Sequence, residues 1–153
     1  MGEILLRGPG LLDAYYAPWQ PRVAILQDGW LATGDLGVMD DAGFLTIVGR
    51  SKEMISVAGM KFFPQEVETV LECHPTIRAA CVFGVKAPRL GETPMAHIVL
   101  TKGAEPPNET ALKDYCSQHL ASYKIPSQFQ WVDRLTYTAS GKLIRNADKL
   151  LTK

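Results

Sequence analysis

The sequence predicts an α+β fold in two parts: a small all-β segment, then a compact α+β domain with about three helices on a small sheet. In the first third of the chain, glycine and aspartate turns separate short apolar runs, a pattern typical of short strands. Beyond residue 53, strand-like apolar runs alternate with segments of helical periodicity. A length of 153 residues suits one ordinary domain or two small ones.

The first part opens with a strand predicted over residues 3–7, which Gly-Pro-Gly at residues 8–10 ends. Residues 11–16 suit one helical turn before a proline, and residues 41–43 suit the tight turn of a hairpin. Gly34 and Asp35 also suggest a turn. Further apolar runs are strand candidates: residues 30–32, 36–39 and 44–48. So few short strands bury little apolar area, and we therefore expect this part to need another layer.

The second part follows a polar boundary at residues 49–53, where no strand pattern is present. Residues 54–57 and 61–63 are apolar runs on either side of Ala58 and Gly59. A glycine-containing turn between two such runs predicts a hairpin.

A helix is predicted to begin at Pro64, because the first helical turn does not need the N–H that proline lacks. Val67, Val70 and Leu71 recur at helical spacing, and the pattern ends near His74. The remaining predicted elements are strands over residues 77–85, 95–101 and 128–132, a helix capped by Asn108 or Thr110 that runs to Leu120, and a short helix over residues 145–151.

Charge and cysteine content exclude several classes of protein. Sixteen basic and sixteen acidic residues cancel, so no global field indicates binding to nucleic acid or an anionic membrane. Three cysteines without a CxxC pair favour a reducing, cytoplasmic setting. The three histidines lack metal-ligand spacing, and we predict no metal site. No apolar run approaches the ~20 residues of a membrane span.

Lys142 is presented by a loop of small residues, 138–141, just before the last predicted helix. The loop is not a nucleotide P-loop, because Thr136 stands where that motif has glycine and Leu143 where it has Ser or Thr. Spacing alone favours a solvated surface lysine over a functional cation.

Residues 33–35 (Thr-Gly-Asp) also have two interpretations. Asp35 either hydrogen-bonds its own backbone in a turn, which spacing alone favours, or accepts from a pair of hydroxyls such as those of a ribose. Arg50 can equally lie at an ordinary surface corner.

Five segments together resemble one family in the family's own order. They are residues 2–16 (GEI, then G, then YY), residues 29–37 (GWLATGDLG), residues 49–61 (GRSKEMISVAGMK) continuing to EVE at 66–68, residues 123–126 (YKIP) and residues 136–145 (TYTASGKLIR). The chain resembles the C-terminal portion of the class I adenylate-forming enzymes: acyl- and aryl-CoA ligases, adenylation domains of nonribosomal peptide synthetases, and beetle luciferase. The resemblance covers essentially the whole chain and outweighs the interpretations from spacing alone.

The resemblance implies a domain organisation. Residues 1–49 are expected to be the C-terminal tail of a large N-terminal adenylation domain, residues 50–52 a hinge, and residues 53–153 a mobile lid. The family's phosphate loop and acyl pocket lie upstream, outside this chain. We therefore expect the chain to be a fragment or one half of a split enzyme, inactive without the missing N-terminal domain.

The resemblance also implies a reaction in two halves. A carboxylic acid attacks ATP, with Mg²⁺ held outside this chain, and gives an acyl-adenylate and pyrophosphate. A thiol, from CoA or from the phosphopantetheine of an acyl or peptidyl carrier protein, then displaces AMP. The alternatives are an adenylation domain of a nonribosomal peptide or polyketide synthetase and a non-catalytic lid fragment that serves as an interaction module.

By the same resemblance, Lys142 is expected to be the catalytic lysine, which stabilises the charge that builds up as the acid attacks the α-phosphate. Asp35 is expected to hold both ribose hydroxyls of ATP or AMP. Arg50 is a second ribose contact, and Thr33 belongs to the same nucleotide site.

Three further positions match the family's moving parts. Lys52 is expected at the hinge, where a few backbone torsions absorb the domain rotation. Ala58 and Gly59 are expected to line the tunnel of the pantetheine arm. The family often has lysine at position 56, where this chain has Ser56, and proline at position 136, where it has Thr136.

Overall fold

The computed structural model describes residues 1–145 and 147–150, the side chains of residues 148 and 149 excepted. The chain divides into two compact units, Met1–Lys52 and Glu53–Lys153. Each unit has its own sheet. No helix among the described residues is long and apolar enough to cross a lipid bilayer.

The first unit contains an antiparallel sheet with the strand order β1-β4-β5 and a separate hairpin of β2 and β3. The turn predicted at residues 41–43 is confirmed, because Asp40 Oδ1 accepts from the N–H groups of Ala42 and Phe44 where β4 joins β5. The elements of this unit are β1 (Gly2–Leu6), β2 (Ala14–Tyr15), β3 (Gln20–Pro21), α1 (Arg22–Ile25), β4 (Leu31–Met39) and β5 (Leu45–Arg50).

Two local predictions for the first unit are wrong. The helical turn predicted over residues 11–16 is absent; β2 occupies its end, and a helical turn follows at Arg22–Ile25 instead. The turn predicted at Gly34 and Asp35 lies inside β4. Residues 33–35 form a bulge where the register between β1 and β4 shifts, and the N–H groups of Gly34 and Asp35 donate to the side chains of Glu3 and Thr33. Because paired stretches of β4 lie on both sides of this bulge, the chain continues as a strand, and Gly34 fits there with φ +75°.

The first unit has almost no buried core of its own. Of residues 1–52, all of which the structure describes, only Gly37 is buried. Large apolar side chains are exposed, among them Trp19 at 68%, Phe44 at 73% and Ile47 at 64%. The expectation that this part needs another layer agrees with that exposure.

The second unit is an α+β domain built on the long hairpin of β8 and β9. Strand β10 runs parallel to β9, and β6 pairs with β7 and meets β9 at Val57 and Gly91. The elements are β6 (Ile55–Val57), β7 (Met60–Phe62), α2 (Pro64–Glu72), β8 (Ile77–Ala87), β9 (Gly91–Leu100), α3 (Glu109–Ser117), β10 (Gln128–Trp131) and α4 (Ala147–Leu150).

These elements confirm the predicted order of the second part. The helix predicted from Pro64 is α2, and Asn108 caps α3 by accepting from the N–H of Thr110 at 2.8 Å. For the helix predicted over residues 145–151, the structure shows Ala147–Leu150, and residues 146 and 151 lie outside the described residues. The predicted polar boundary differs, because β5 extends through Arg50 and a 3-10 turn spans Ser51–Glu53.

The sheet of the second unit is covered on both faces. Helices α2 and α3 bury Val67, Leu71, Leu112 and Cys116 against one face, each with 0% exposure. On the other face, the side chains that pack together are Cys81, Phe83, Met95, Leu135, Leu143, Ile144, Ala147 and Leu150. The C-terminal segment that carries the lysine motif is therefore part of the fold rather than a loose extension.

Helix α2 also covers the outer edge of β8. Along its other edge β8 pairs with β9, and its outward N–H groups at Ala80 and Val82 donate to carboxylates of α2. Glu72 Oε1 accepts from Ala80 at 3.0 Å, and Glu68 Oε1 accepts from Val82 at 2.8 Å. The two glutamates are one helical turn apart and match alternate residues of the strand, so they satisfy an edge that would otherwise be unpaired.

Candidate functional site

Asp35 and Arg50 form an ion pair across β4 and β5. They are directly opposite partners in the antiparallel ladder, and Arg50 Nε donates to Asp35 Oδ1 at 2.7 Å. The Asp35 side chain is 28% exposed and the Arg50 side chain 50% exposed. Because a carboxylate offers about four lone-pair positions, the ion pair leaves Asp35 capacity to accept from further hydroxyls.

Thr33 holds the backbone beside Asp35. Its Oγ1 donates to the carbonyl of Ile4 at 2.8 Å and accepts from the N–H of Asp35 at 3.1 Å. Glu3 Oε1 accepts from the N–H of Gly34 at 3.1 Å. In this arrangement the threonine hydroxyl positions the aspartate, and Thr33, Asp35 and Arg50 form one cluster.

Ala58 and Gly59 form the tip of the hairpin between β6 and β7, at φ +49° and +85°. The N–H of Ala58 donates to the carbonyl of Leu90 at 2.7 Å, which ties the tip to the turn between β8 and β9. A Cβ at Gly59 would meet no atom within 4 Å, so this position faces open space. The tip borders an open groove of about 850 Å³, lined by Ser56, Ala58, Gly59, Lys86, Ala87, Pro88, Leu90, Gly91 and Glu92.

Glu92 supports this hairpin from β9. Its Oε2 accepts from the N–H of Ser56 at 2.8 Å. Gly84 makes room for the carboxylate, because a Cβ there would lie 3.0 Å from Glu92 Cδ. The sequence patterns did not single out Glu92, because it lies outside the strand predicted over residues 95–101 and an isolated glutamate is ordinarily a solvated residue.

Lys142 lies in a hydrogen-bonded turn. The N–H of Thr138 donates to the carbonyl of Lys142 at 2.8 Å, and the N–H of Lys142 donates to Thr138 Oγ1 at 3.0 Å. Gly141 adopts φ +78°, and a bridge between Tyr137 and Leu143 closes the turn. Lys142 is exposed, and within the described part of the chain no side chain forms an ion pair with its ammonium.

Three residues after the lysine, Arg145 is anchored by two carboxylates. Its Nε and Nη2 donate to the two oxygens of Glu68 at 3.0 and 2.8 Å, and its Nη1 donates to Glu53 Oε2 at 2.9 Å. The side chains of Arg145 and Glu68 are 15% and 9% exposed. Burial alone would lower the pKa of Arg145, but the hydrogen bond and charge of Glu68 and the charge of Glu53 raise it above its usual value.

The two buried cysteines, Cys81 and Cys116, do not provide a nucleophile for a covalent step. Burial, with a smaller contribution from the charge of Glu68, raises the pKa of the Cys81 thiol to about 12. Burial raises the pKa of Cys116 to about 11. Both thiols are therefore protonated near neutral pH. No cluster of histidine, cysteine or acidic residues that could hold a metal ion is present among the described residues.

The profile of the family described as AMP-binding enzyme C-terminal domain matches residues 66–142, half of the chain. The chain belongs to that family. The matched residues run from helix α2 to the lysine of the last motif. The resemblance inferred from the five motifs is thereby confirmed, as are the α+β fold and the relation to AMP-forming ligases.

Proteins similar to this AMP-binding C-terminal domain include the 2-succinylbenzoate–CoA ligase of Bacillus subtilis, 42% identical over 145 residues. That match covers 95% of this chain and 29% of the ligase. The o-succinylbenzoate CoA synthetase of Bacillus subtilis, solved with its acyl-adenylate intermediate, superposes with a TM-score of 0.83 at 41% identity, over 97% of this chain and 30% of that one. The same synthetase has also been solved with ATP and a magnesium ion.

The amide bond synthetase of Marinactinospora thermotolerans is a more distant neighbour. It matches with a TM-score of 0.82 at 31% identity, over 99% of this chain and 31% of that one. The chain thus spans about a third of the length of the proteins it matches.

The predicted site residues fall into groups along the chain. Thr33, Asp35 and Arg50 form the cluster of the first unit. Lys52 is the last residue of that unit, and the others belong to the second unit: Ala58 and Gly59 at the hairpin tip, and Lys142 in its turn. Two anchors were not predicted from the sequence: Arg145 with its two carboxylates, and Glu92. An arginine inside the lysine motif was the available signal for the first of these.

Proposed function

We propose that the chain is the C-terminal part of an ATP-dependent, AMP-forming acid–thiol ligase. The observation that carries this proposal is the pattern of coverage. The Bacillus subtilis CoA ligase aligns with 95% of this chain at 42% identity, and that alignment takes up only 29% of the ligase. The complete enzyme, meaning this chain with a large domain that supplies the acyl pocket and the phosphate loop, would join a carboxylic acid to a thiol. The chain alone would be inactive.

The burial pattern supports a division into a tail and a lid. Residues 1–49 would be the tail of the large domain, because their apolar side chains are exposed in this chain and need a covering layer. Residues 53–153 would be the lid, which has a core of its own. Residues 50–52 would be the hinge, with Lys52 at the boundary between the two units.

The cluster of Asp35, Arg50 and Thr33 suits the ribose of ATP or AMP. The two oxygens of Asp35 can accept from two adjacent hydroxyls, while Arg50 neutralises and orients the carboxylate. Thr33 would act through the Asp35 backbone. The Mg²⁺ that accompanies ATP would be held by residues of the large domain.

Lys142 would carry the acid-activation step. The attack of a carboxylate on the α-phosphate brings two anionic groups together, and a cation at that point lowers the barrier without covalent chemistry. The exposed ammonium, presented by a closed turn, suits a group that meets its substrate on another domain.

The groove beside Ala58 and Gly59 would receive the thiol in the second step. An extended pantetheine arm needs a narrow passage without obstructing side chains. Gly59 has no side chain, and it lies where the hairpin tip faces open space. CoA is the acceptor we favour, and a carrier-protein phosphopantetheine is the alternative within this class.

The test is the substitution Lys142→Ala in the complete enzyme, with Lys102→Ala, another exposed lysine in a turn, as the matched control. We expect Lys142→Ala to reduce acid-dependent pyrophosphate exchange by about 10²–10³-fold or more, the scale for loss of a charge stabiliser. Lys102→Ala should leave the exchange unchanged. Near-normal exchange in the Lys142 variant would refute the role of this lysine.

A second candidate function uses an amine as the acyl acceptor, and the similarity to an amide bond synthetase supports it. The first half-reaction would then be the same, and the product would be an amide instead of a thioester. Product analysis with CoA and with small amines separates the two. A complete enzyme that forms no acyl-adenylate with any acid would favour a non-catalytic interaction module instead.

A further inference from the structure

We propose that Arg145 is a positioning residue for Lys142. It ties the lysine turn to two carboxylates of the same unit, those of Glu68 and Glu53. This inference rests on the catalytic role proposed above for Lys142. The proposed effect is on where the ammonium can reach during acid activation, beyond what the ion pairs contribute to folding.

The connection between the two residues is short and constrained. Only Leu143 and Ile144 separate them, a reach of about 10 Å at full extension. The N–H of Ile144 donates to the carbonyl of Thr136 at 2.9 Å, and both apolar side chains pack against the cluster around Cys81. A shift of the guanidinium would therefore move the base of the turn, because this segment has little slack to absorb it.

The guanidinium is held in one orientation by three N–H donors. Two of them meet the carboxylate of Glu68 side by side, and the third meets Glu53. Glu68 cannot follow a moving partner freely, because its Oε1 also accepts from the N–H of Val82 at 2.8 Å. A lysine at position 145 would keep the charge but lose the planar fork that fits this arrangement.

Stability alone does not account for an ion pair at this place. Desolvation offsets most of the attraction within a buried pair, so such pairs contribute little net stability. The segment already has apolar anchors in Leu143 and Ile144. The ion pairs also fix the orientation of the Arg145 side chain, because two fixed carboxylates define where a bidentate guanidinium lies. One of these carboxylates belongs to Glu53, which directly follows Lys52. Arg145 therefore links the lysine turn to the first residue of the second unit.

The first experiment compares both half-reactions in the complete enzyme carrying Arg145→Lys. The matched control is Arg78→Lys, which makes the same exchange at an exposed arginine of β8. We expect Arg145→Lys to lower the kcat of acyl-adenylate formation by about 10- to 100-fold, the scale of a misplaced catalytic group. Two quantities should change by less than about twofold: the KM for ATP and the rate of thioester formation from supplied acyl-adenylate. The reason is that the substitution leaves the binding of ground-state substrates unchanged. Glu53→Gln should give a smaller loss in the same step.

A second experiment needs no activity and uses the 153-residue chain itself. Hydrogen exchange is followed at the amides of Thr138 and Ile144, which are bonded within the lysine turn and at its base. Arg145→Lys should speed exchange at these amides and leave the amides between β8 and β9 unchanged.

Two outcomes would overturn the inference. One is a parallel loss of both half-reactions that follows a lowered Tm, which indicates a structural role only. The other is unchanged adenylation together with unchanged exchange at the lysine turn. The Lys142→Ala variant separates the two proposals. If that variant is inactive in adenylation and Arg145→Lys is not impaired, the positioning role alone fails. If Lys142→Ala retains adenylation, the proposed function of the lysine fails and the positioning role fails with it.

Discussion

Glu68→Ala should destabilise the second unit far more than Glu72→Ala, although both carboxylates accept one N–H of β8. The Glu68 side chain is 9% exposed and also binds Arg145 through both oxygens, whereas Glu72 is exposed. Removing one partner of a buried ion pair costs about 3–5 kcal/mol, and the lower end of that range applies here because Arg145 keeps Glu53 as a partner. Loss of the exposed carboxylate costs about 0.5–1.5 kcal/mol, because water replaces it at the strand edge.

The assays are urea unfolding and thermal unfolding of the chain, both followed by circular dichroism. For a unit of about 100 residues, each kcal/mol corresponds to about 4–8 °C in Tm, so Glu68→Ala should lower Tm by more than about 12 °C. The double variant Glu68→Ala/Arg145→Met should recover part of the loss, because it removes both buried charges. Equal losses of stability in Glu68→Ala and Glu72→Ala would contradict a buried ion pair between Glu68 and Arg145. So would a double variant whose loss in the free energy of unfolding equals the sum of the two single losses.

Gly59→Leu should slow thioester formation and leave acyl-adenylate formation unchanged. The control Gly103→Leu introduces similar backbone strain, at φ +80° in a loop, and should slow neither half-reaction. Equal loss of both half-reactions in the Gly59 variant would contradict the tunnel assignment. Leu71 is 0% exposed, and Leu71→Ala should lower the free energy of unfolding in urea by about 2–5 kcal/mol. A loss below about 1 kcal/mol would contradict its place in the core. Burial alone would raise the pKa of Glu66, but the hydrogen bonds from Lys124 and the Phe63 backbone, with the charge of Lys124, lower it below its usual value. That contribution to stability is present above the unfolded pKa and lost as the pH falls through the lowered one, so Lys124→Met should lose less stability than the unsubstituted chain on acidification from about pH 7 to about pH 3.

The elements that were predicted correctly are those whose sequence signals are local. The helix from Pro64, the cap at Asn108 and the hairpin around Gly59 each depend on a few neighbouring residues, and each is confirmed. The prediction failed at Gly34 and Asp35, where turn-forming residues form a bulge inside β4, between stretches that pair with β1 and β5. Strand pairing between distant segments decided the conformation there.

The anchors of the lysine turn have no local sequence signal, for a related reason. Arg145 meets Glu68 across 77 residues and Glu53 across 92 residues of chain. On α2, the sequence places Glu68 beside the apolar positions Val67 and Leu71, which is also where an ordinary solvated glutamate would be. Only the packing of α2 against the edge of β8 buries that carboxylate and gives it two partners.

The Glu68 carboxylate has two structural roles, and Glu72 and Glu53 each share only one of them. Glu68 satisfies the edge of β8 through Val82 and holds the guanidinium that follows the lysine turn. Glu72 contacts the strand edge without contacting that guanidinium, whereas Glu53 contacts the guanidinium without contacting the edge. A change at Glu68 therefore alters folding and lysine placement together, so it cannot by itself assign either effect. Loss of the edge contact alone, at Glu72, should lower stability with adenylation intact, and loss of the guanidinium contact alone, at Glu53, should lower adenylation with most of the stability intact.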